Sequence, residues 1–259
     1  MELQLRDEIL NRLDFERQAV TFPGVRRVVE PHAVRHHYDE GNGEIAFSNC
    51  SEEDVDEVIA DEIRAAREDG YRLEWKLYGH DQPQNLADRL NAAGFEEGDL
   101  EQFMVLVADE ETLARFQGIG GDVRRVTDSK GLADIQTILQ EVRDESCVED
   151  IEGYAEMLTN SPENLSLYVA YADGEPAACG RTYFHQDSHF AGLYGGQTRP
   201  KYRRQGFFTQ VVAARIREAI ERGVPYISVD ALPTSEPILR KRGFEIVTYT
   251  RPFTFANLS

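Results

Sequence analysis

Two stretches of the chain repeat apolar residues at the spacing of a helix, and each ends at a glycine. The first covers residues 52–69, where Ser51 is placed to cap the start and Gly70 stands just past the end. Its apolar face consists of Val55, Val58, Ile59, Ile63 and Ala66. The second covers residues 207–222, and its face consists of Phe208, Val212, Ile216, Ala219 and Ile220. Both patterns predict an amphipathic helix that packs on a core.

Each of these helices is followed by the same order of segments. After the first, the sequence predicts a strand at 71–79, a helix at 85–93 and a strand near 101–107. After the second, it predicts a strand at 225–232, a helix at 235–242 and a strand at 245–250. Gly-Phe-Glu precedes the last strand both times. The recurrence predicts two diverged copies of one α/β unit, although helix, glycine and strand also follow one another in unrelated α/β proteins.

A glycine-rich stretch separates the two copies. FQGIGGDV, residues 116–123, carries three glycines and follows a short charged helix predicted at 109–115. We therefore predict an N-terminal domain at 1–115, a linker at 116–121 and a C-terminal domain at 122–259.

The C-terminal domain begins with a different run of elements. The pattern predicts a strand at 122–128, a helix at 132–143 and a short helix near 150–159. Three antiparallel strands follow between residues 165 and 198, and Asp173-Gly174 forms the first tight turn. The fold class predicted for the chain is α+β, with a mixed, mostly antiparallel sheet flanked by helices.

The charge of the chain limits its partners. It has 47 acidic and 28 basic residues, which give a net charge of −19. Such a surface repels phosphate backbones and anionic headgroups, so we expect neither nucleic acid nor a membrane as the main partner. Few of the basic residues are lysines, a bias that resembles the proteins of salt-accumulating haloarchaea.

The cysteines and the N-terminus indicate the compartment. The three cysteines, Cys50, Cys147 and Cys179, are far apart and form no CxxC motif, which favours a reducing cytosol. The N-terminal segment is charged throughout, and no stretch approaches the ~20 apolar residues of a membrane span. We expect a cytoplasmic protein.

One basic stretch is suited to binding an anion. In GLYGGQTRPKYRRQGFFTQVV, residues 192–212, a strand ends and an amphipathic helix begins directly after two arginines and a glycine. Backbone N–H groups at a helix start have no intrahelical acceptor and bind phosphate oxygens well. Gly206 permits a close approach of the backbone, while Arg203 and Arg204 supply positive charge.

This stretch resembles the GNAT superfamily of N-acetyltransferases. Arg203 and Gly206 match the family's R/Q-x-x-G-x-G/A motif, whereas Phe208 stands where a small residue is usual. The resemblance covers residues 122–259 and implies that acetyl-CoA binds the loop, with the pantetheine arm along the backbone of Gln197 to Arg199. The implied cofactor-binding residues are Gln197, Thr198, Arg199, Arg203, Arg204, Gln205, Gly206, Phe207, Phe208 and Thr209.

The catalytic side chains are less clear than the loop. The resemblance implies a tyrosine as general acid four residues before the glycine of Gly-Phe, but Leu239 occupies that position. Tyr194, Ser235, Tyr249 or a water could replace it. Asp230 and Glu145 are the candidate bases for the attacking amine, and Asp230, Tyr194 and Ser235 are the predicted catalytic set.

The expected reaction is direct transfer of an acetyl group to an amine, without an acyl-enzyme and without a metal. His185 and His189 flank one turn, but no third ligand is evident. The acceptor is a small-molecule or peptide amine, and the protein is a monomer or homodimer. The N-terminal copy has the acidic GEIAFSNCSEED where the loop would be, and we expect it to bind no cofactor. A catalytically weak acyl-CoA-binding sensor or scaffold is the alternative, which Leu239 favours.

We predict that the stability of the protein rises with salt. Its carboxylates repel one another at low ionic strength, and this repulsion weakens when salt shortens the Debye length to ~3 Å at about 1 M. Thermal unfolding across a KCl series, with a sugar osmolyte as the non-ionic control, measures the effect. A melting temperature that does not change with KCl would contradict the halophilic interpretation of the charge.

Overall fold

The computed structural model describes residues 2–38, 41–143 and 146–256. Two compact units are formed, and each draws on separate parts of the sequence. Unit 1 comprises 1–104 with 230–236 and 246–259, and unit 2 comprises 105–229 with 237–245. Within the described ranges, no helix combines the length and the apolar character that a membrane span requires.

The helices and strands alternate along the chain, with a 3-10 turn at Pro200–Tyr202 between β10 and α7. In chain order the elements are α1 (Leu3–Ala19), β1 (Arg26–Val29), β2 (Ala33–His37), β3 (Asn42–Ser48), α2 (Val55–Asp69), β4 (Arg72–Tyr78), α3 (Leu86–Ala92), β5 (Glu96–Glu97), β6 (Glu101–Val107), α4 (Glu110–Arg115), β7 (Asp122–Arg125), α5 (Ser129–Arg143), α6 (Val148–Asn160), β8 (Leu165–Ala172), β9 (Glu175–Tyr183), β10 (Phe190–Thr198), α7 (Phe207–Glu221), β11 (Tyr226–Ala231), α8 (Glu236–Arg240) and β12 (Glu245–Phe255).

The two units share one supersecondary pattern. In unit 1, β2 and β3 pair antiparallel, and β3 then pairs parallel with β4 across the crossover helix α2. In unit 2, β9 and β10 pair antiparallel, and β10 pairs parallel with β11 across α7. The predicted α+β fold with a mixed sheet is confirmed, and so is the recurrence of helix, strand, helix and strand in the two copies.

Each unit has its own core, formed where helices cover its sheet. In unit 1, α2 and α3 pack on β4, whose Trp75 is fully buried. From the predicted face of α2, Val55, Ile59 and Ala66 are buried, and Gly70 ends the helix in the left-handed region at φ 74°. In unit 2, residues of α5 and α6 pack on β8 and β9. The helical periodicity therefore identified the faces that are removed from water.

Several elements of unit 1 were not predicted, and the last strand of the chain is longer than expected. No pattern in the sequence predicted α1 or the strands β1 to β3. The strand predicted at 245–250 continues to Phe255, and its later residues pair with β4 in the register Thr250↔Tyr78 to Phe255↔Leu73. The last strand of the second copy thus completes the sheet of unit 1. The predicted domain boundary at 116–121 separates the two sequence copies and stays a prediction. The two compact units are divided differently, because the last strand pairs with β4 of unit 1.

Candidate functional site

Strand β10 is irregular at two consecutive glycines. Its antiparallel register with β9 shifts between Tyr194 and Gln197, so that Gly195 and Gly196 form a bulge. Gly195 has φ 56°, a left-handed conformation that disfavours residues with a Cβ. The parallel register with β11 ends at Gly192, whereas the pairing with β9 continues to Thr198. Beyond Gly192, the backbone of β10 therefore has a strand partner on one side in the described part of the chain.

The bulge makes room for Phe208, the large residue at a position of the motif where a small one is usual. A Cβ added at Gly196 would lie 2.7 Å from Cε2 of Phe208, so the ring lies directly against the glycine backbone. The large side chain at the usually small motif position is accommodated because Gly196 has no side chain. The departure from the family motif is therefore accommodated by a glycine on the neighbouring strand of unit 2.

The loop between β10 and α7 exposes backbone donors. Arg204 and Gly206 both have positive φ, 63° and 90°, and Gly206 is the N-cap of α7 without a side chain to cap it. The first helical bond runs from Gln210 N–H to the Gly206 carbonyl. The N–H groups of residues 207–209 therefore have no acceptor within the helix. A Cβ on Gly206 would meet no atom within 4 Å, so the space above the backbone is open.

The basic side chains of the loop fall into two groups. Arg199 is held by Glu141, at 2.5 Å, and by the Pro176 carbonyl, so its charge is already compensated. Arg203 and Arg204 are exposed, and no carboxylate of the described residues pairs with either. Nε of Arg203 donates to the Thr198 carbonyl. The available positive charge therefore lies at the start of α7, where the free N–H groups are.

The remaining predicted loop residues support its shape. Nε2 of Gln205 donates to the Lys201 carbonyl at 2.9 Å. The ring of Phe207 packs on Tyr202, with 5.7 Å between their centroids. Thr209 lies in the first turn of α7 and is half-buried. Together these residues fix the path of the chain between the strand and the helix.

The fold also contains a buried arginine that the sequence did not predict. Arg215 of α7 is 2 % exposed, and its Nη1 donates to the carbonyls of Arg181 and Tyr194, at 2.9 and 3.2 Å. Burial lowers the pKa of Arg215 to about 10, and Arg181 acts in the same direction, so the guanidinium remains protonated at neutral pH. Its position between Val212 and Ala219 on the apolar stripe of α7 was the available signal.

Tyr194 lies on β10 immediately before the bulge. Its side chain is 39 % exposed, and its ring is 5.5 Å from that of Tyr183 at a steep angle. Tyr194 and the predicted cofactor loop thus belong to the same strand and loop of unit 2. An exposed phenol beside the bulge can donate a proton to a group bound there.

The other two predicted catalytic residues belong to unit 1. Asp230 accepts hydrogen bonds from Lys76 Nζ and Thr250 Oγ1, both at 2.8 Å. Burial, together with the charge of Asp230, raises the pKa of Glu101 to about 6. The hydroxyl of Ser235 donates to the Leu232 carbonyl at 3.2 Å. Asp230 is therefore an ion-paired carboxylate, and the catalytic roles of Asp230 and Ser235 stay predictions.

The alternative acid and base candidates differ in their accessibility. Leu239, at the position of the family's usual tyrosine, is 1 % exposed and belongs to the core. Tyr249 is exposed. Glu145 lies outside the described residues.

One group of side chains has the composition of a metal site. Asp14, His80 and Asp81 have ligand atoms within 4.8 Å of one another. Arg17 donates to both carboxylates, at 2.9 and 2.7 Å, and His80 Nε2 lies 2.9 Å from Asp14. The guanidinium occupies the place that a cation would take, so these residues form an ion-pair network.

Comparison with known proteins identifies the fold of the chain and a family match within its C-terminal part. Residues 132–244 match the model of the Acetyltransferase (GNAT) family. A GCN5-related N-acetyltransferase from Kribbella flavida is 16 % identical with a TM-score of 0.67, and the match covers 97 % of this chain and 94 % of that one. A tandem GNAT protein from the clavulanic acid biosynthesis pathway is 14 % identical with a TM-score of 0.61, covering 91 % and 84 %.

Another structural neighbour has no stated function. A conserved protein of unknown function from Staphylococcus epidermidis is 12 % identical with a TM-score of 0.65, covering 92 % and 98 % of the two chains. Comparison with curated proteins found no significant match.

These comparisons confirm part of the sequence analysis. The family match covers residues 132–244, and the fold of the chain is similar to that of GNAT proteins, including a tandem form. The predicted type of enzyme, an N-acetyltransferase, is confirmed at the level of the family. The matched segment contains the bulge, the loop and α7.

We predict that Gly196→Ala destabilises the protein because the new methyl group collides with the Phe208 ring. Overpacking of this kind costs about 1–3 kcal/mol, which urea unfolding would measure. The double variant Gly196→Ala/Phe208→Leu should recover part of the loss. Gly153→Ala is the matched control, since a Cβ there meets no atom within 4 Å and should not destabilise. If Gly196→Ala costs as much in the Phe208→Leu background as in the wild type, the contact is contradicted.

Proposed function

We propose that the GNAT domain of this chain is an acetyl-CoA-dependent N-acetyltransferase and that acetyl-CoA binds at the start of α7. The observation that supports this most strongly is the coincidence of free N–H groups at residues 207–209 with the uncompensated charges of Arg203 and Arg204. On a chain of net charge −19, a site for a polyanionic ligand needs such a local excess of positive charge. A pyrophosphate group supplies the matching negative charge.

The residues of the loop fit the parts of acetyl-CoA. The N–H groups after Gly206 and the guanidinium groups of Arg203 and Arg204 would hold the phosphates. The backbone of Gln197 to Arg199, where β10 is paired with β9 on one side, would hold the pantetheine arm. Oε1 of Gln197 is buried without a hydrogen-bond partner in the described ranges, and an amide N–H of the ligand would satisfy it.

The proposed transfer is a direct displacement at the thioester. The acceptor amine attacks the thioester carbonyl as a neutral nucleophile, the carbon–sulfur bond breaks, and the amine proton is lost to a base. CoA leaves as a thiolate that takes up one proton. Backbone N–H groups at the bulge would stabilise the developing oxyanion, and Tyr194 is our proposed donor to the thiolate. Asp230 and Ser235 remain candidate catalytic residues in unit 1.

Unit 1 is proposed to bind no cofactor, because the start of its crossover helix is already occupied. At α2, the Ser51 hydroxyl accepts from the N–H of Asp54, and the Asp54 carboxylate accepts from the N–H of Ser51. Hydrogen bonds donated to the Asp54 carboxylate by the Ser51 hydroxyl and the Ser51 N–H lower the pKa of Asp54, which keeps it charged. Glu52 and Glu53 add further negative charge, so the segment repels phosphate. The corresponding segment of unit 2 has none of these acids.

The composition supports the proposed setting of the enzyme. An acidic, lysine-poor surface and unpaired cysteines favour the cytoplasm of a salt-accumulating organism. The acceptor is a small-molecule or peptide amine, and the enzyme acts as a monomer or homodimer without a metal.

We predict that Gly206→Glu weakens acetyl-CoA binding at least tenfold, or about 1.4 kcal/mol. The side chain would place bulk and negative charge where the phosphates bind. Calorimetric titration of the full chain with CoA measures the loss. Gly118→Glu is the matched control, because Gly118 also has positive φ, 75°, with no atom within 4 Å of an added Cβ. Equal affinities of the two folded variants would show that the pyrophosphate binds elsewhere.

The proposed activity predicts CoA thiol release that requires an amine. Acetyl-CoA would be incubated in KCl with a panel of amino acids, polyamines, aminoglycosides and peptides, and products would be identified by mass spectrometry. The expected result is an N-acetylated product whose formation at low acetyl-CoA concentration is reduced about tenfold or more in Gly206→Glu and retained in Gly118→Glu. Tight CoA binding without product from any amine would favour the acyl-CoA-binding sensor.

A further inference from the structure

A second arginine lies at the bulge, on the opposite face of β9 from Arg215. Alternation along β9 places Gly180 toward Arg215 of α7 and Arg181 toward α5 and α6. A Cβ added at Gly195 would collide with Nη1 of Arg181. The guanidinium of Arg181 therefore lies directly against the bulge, next to the backbone that we propose receives the thioester.

Three tyrosine rings surround this guanidinium. Its Cζ lies 5.5 Å from the ring centroid of Tyr154, 5.8 Å from that of Tyr183 and 6.0 Å from that of Tyr194. Tyr154 is buried, whereas Tyr194 is exposed, so the cluster opens to solvent on the Tyr194 side. We call Arg181 with these three tyrosines the arginine–tyrosine cluster.

The guanidinium has unused hydrogen-bonding capacity. Nη1 donates to the Tyr154 hydroxyl at 2.8 Å, while Nε is buried with no partner. Within the described ranges, no carboxylate pairs with Arg181. The nearby Asp150 is occupied by Arg143 at 2.6 Å, and the Tyr154 hydroxyl stands between Asp150 and Arg181, donating to Asp150 at 3.4 Å.

The lack of a counter-charge at Arg181 contrasts with other arginines of this chain. Carboxylates are abundant, 47 in all, and Arg199, Arg89 and Arg124 each form an ion pair with one. A partly buried guanidinium left with an unsatisfied donor costs stability, which a bound anion with two acceptor oxygens would offset. Arg215 adds a second cation without a carboxylate partner in the described ranges, and it lies close by because its Nη1 donates to the Arg181 carbonyl.

We infer that the acceptor of this enzyme carries a carboxylate close to its amino group, as an α-amino acid does, and that Arg181 binds that carboxylate. The inference rests on the proposed function, because the bulge is where the acetyl group would be delivered. A carboxylate on Arg181 would hold the neighbouring amine at the thioester. The tyrosine rings provide an apolar wall that suits an uncharged, preferably aromatic, side chain. Polyamines and aminoglycosides, which carry only positive charge, would be repelled by Arg181.

The test compares acceptors that differ only in the carboxylate. L-Phenylalanine and L-phenylalaninamide have the same side chain and amine, and thiol release at fixed KCl and pH gives kcat/KM for each. The amide has the less basic amine, so more of it is unprotonated at neutral pH, and a preference for the acid must come from the protein. We expect the acid to be preferred about tenfold or more, as a charge-assisted hydrogen bond implies.

Variants then assign the preference to Arg181. Arg181→Gln should raise KM for L-phenylalanine about tenfold or more, with a smaller change in kcat. The same variant should change KM for L-phenylalaninamide by less than about twofold. Arg181→Lys keeps the charge and should restore part of the preference. Tyr154→Phe keeps the ring and removes the hydroxyl that accepts from Nη1 and donates to Asp150, while Arg181 keeps its charge, so the preference should survive. CoA affinity, measured by calorimetry, should be unchanged in all three and shows that unit 2 is folded.

The outcomes separate this inference from the proposed function. If amides or polyamines are acetylated as efficiently as amino acids, the inference is overturned but the proposed transferase function is not. The same holds if Arg181→Gln leaves the preference for the acid unchanged. If no amine is acetylated, the proposed function fails. The carboxylate site is then tested by comparing the affinities of CoA-saturated protein for N-acetyl-L-phenylalanine and N-acetyl-L-phenylalaninamide. The inference is overturned if the two compounds bind with equal affinity, or if Arg181→Gln does not change the affinity for N-acetyl-L-phenylalanine.

Discussion

The site in unit 2 depends on the buried guanidinium of Arg215. A charge removed from water must be compensated, and Arg215 is compensated by the carbonyls of Arg181 and Tyr194 in place of a carboxylate. Those carbonyls belong to adjacent strands at the place where their register shifts. The hydrogen bonds therefore fix the bulge from the α7 side, and glycine at 180 leaves room for the guanidinium. The bulge is consequently a rigid part of the sheet and can hold a reacting group in a defined place.

Positive charge in this acidic chain is concentrated along one stretch of unit 2. Arg203 and Arg204 stand at the start of α7, and Arg181 and Arg215 stand on opposite faces of the sheet beside the bulge. In unit 1, by contrast, the buried arginines Arg17 and Arg35 each pair with a carboxylate. Long-range repulsion by the surface and short-range attraction by the unit 2 arginines act together, because an anion is bound only where the local groups outweigh the overall charge.

Periodicity and turn chemistry predicted much of the fold, because they depend on neighbours along the chain. The helices α2 and α7, the strands of unit 2 and the basic loop between β10 and α7 were all visible in this way. The burial of Arg215 was not predicted, because a charged residue within an apolar stripe is equally consistent with an exposed side chain and with a buried cation. Phe208 contacts Gly196 from another element, and Arg181 is surrounded by residues of other elements. Contacts between separate elements cannot be predicted from a local sequence pattern. The catalytic residues are the least predictable for the same reason, and Leu239 removed the one position that the family resemblance would have supplied.

The pairing of β12 with β4 affects how the protein can be synthesised. Unit 1 contains the first described residues of the chain, yet its sheet lacks a strand until residues 246–256 have left the ribosome. The edge of β4 would be unpaired throughout translation, with Trp75 and Leu73 dependent on Phe253 and Phe255 to complete their core. The unit whose first strands are translated before unit 2 is therefore completed after it, and its open sheet edge is exposed to aggregation while the rest of the chain emerges.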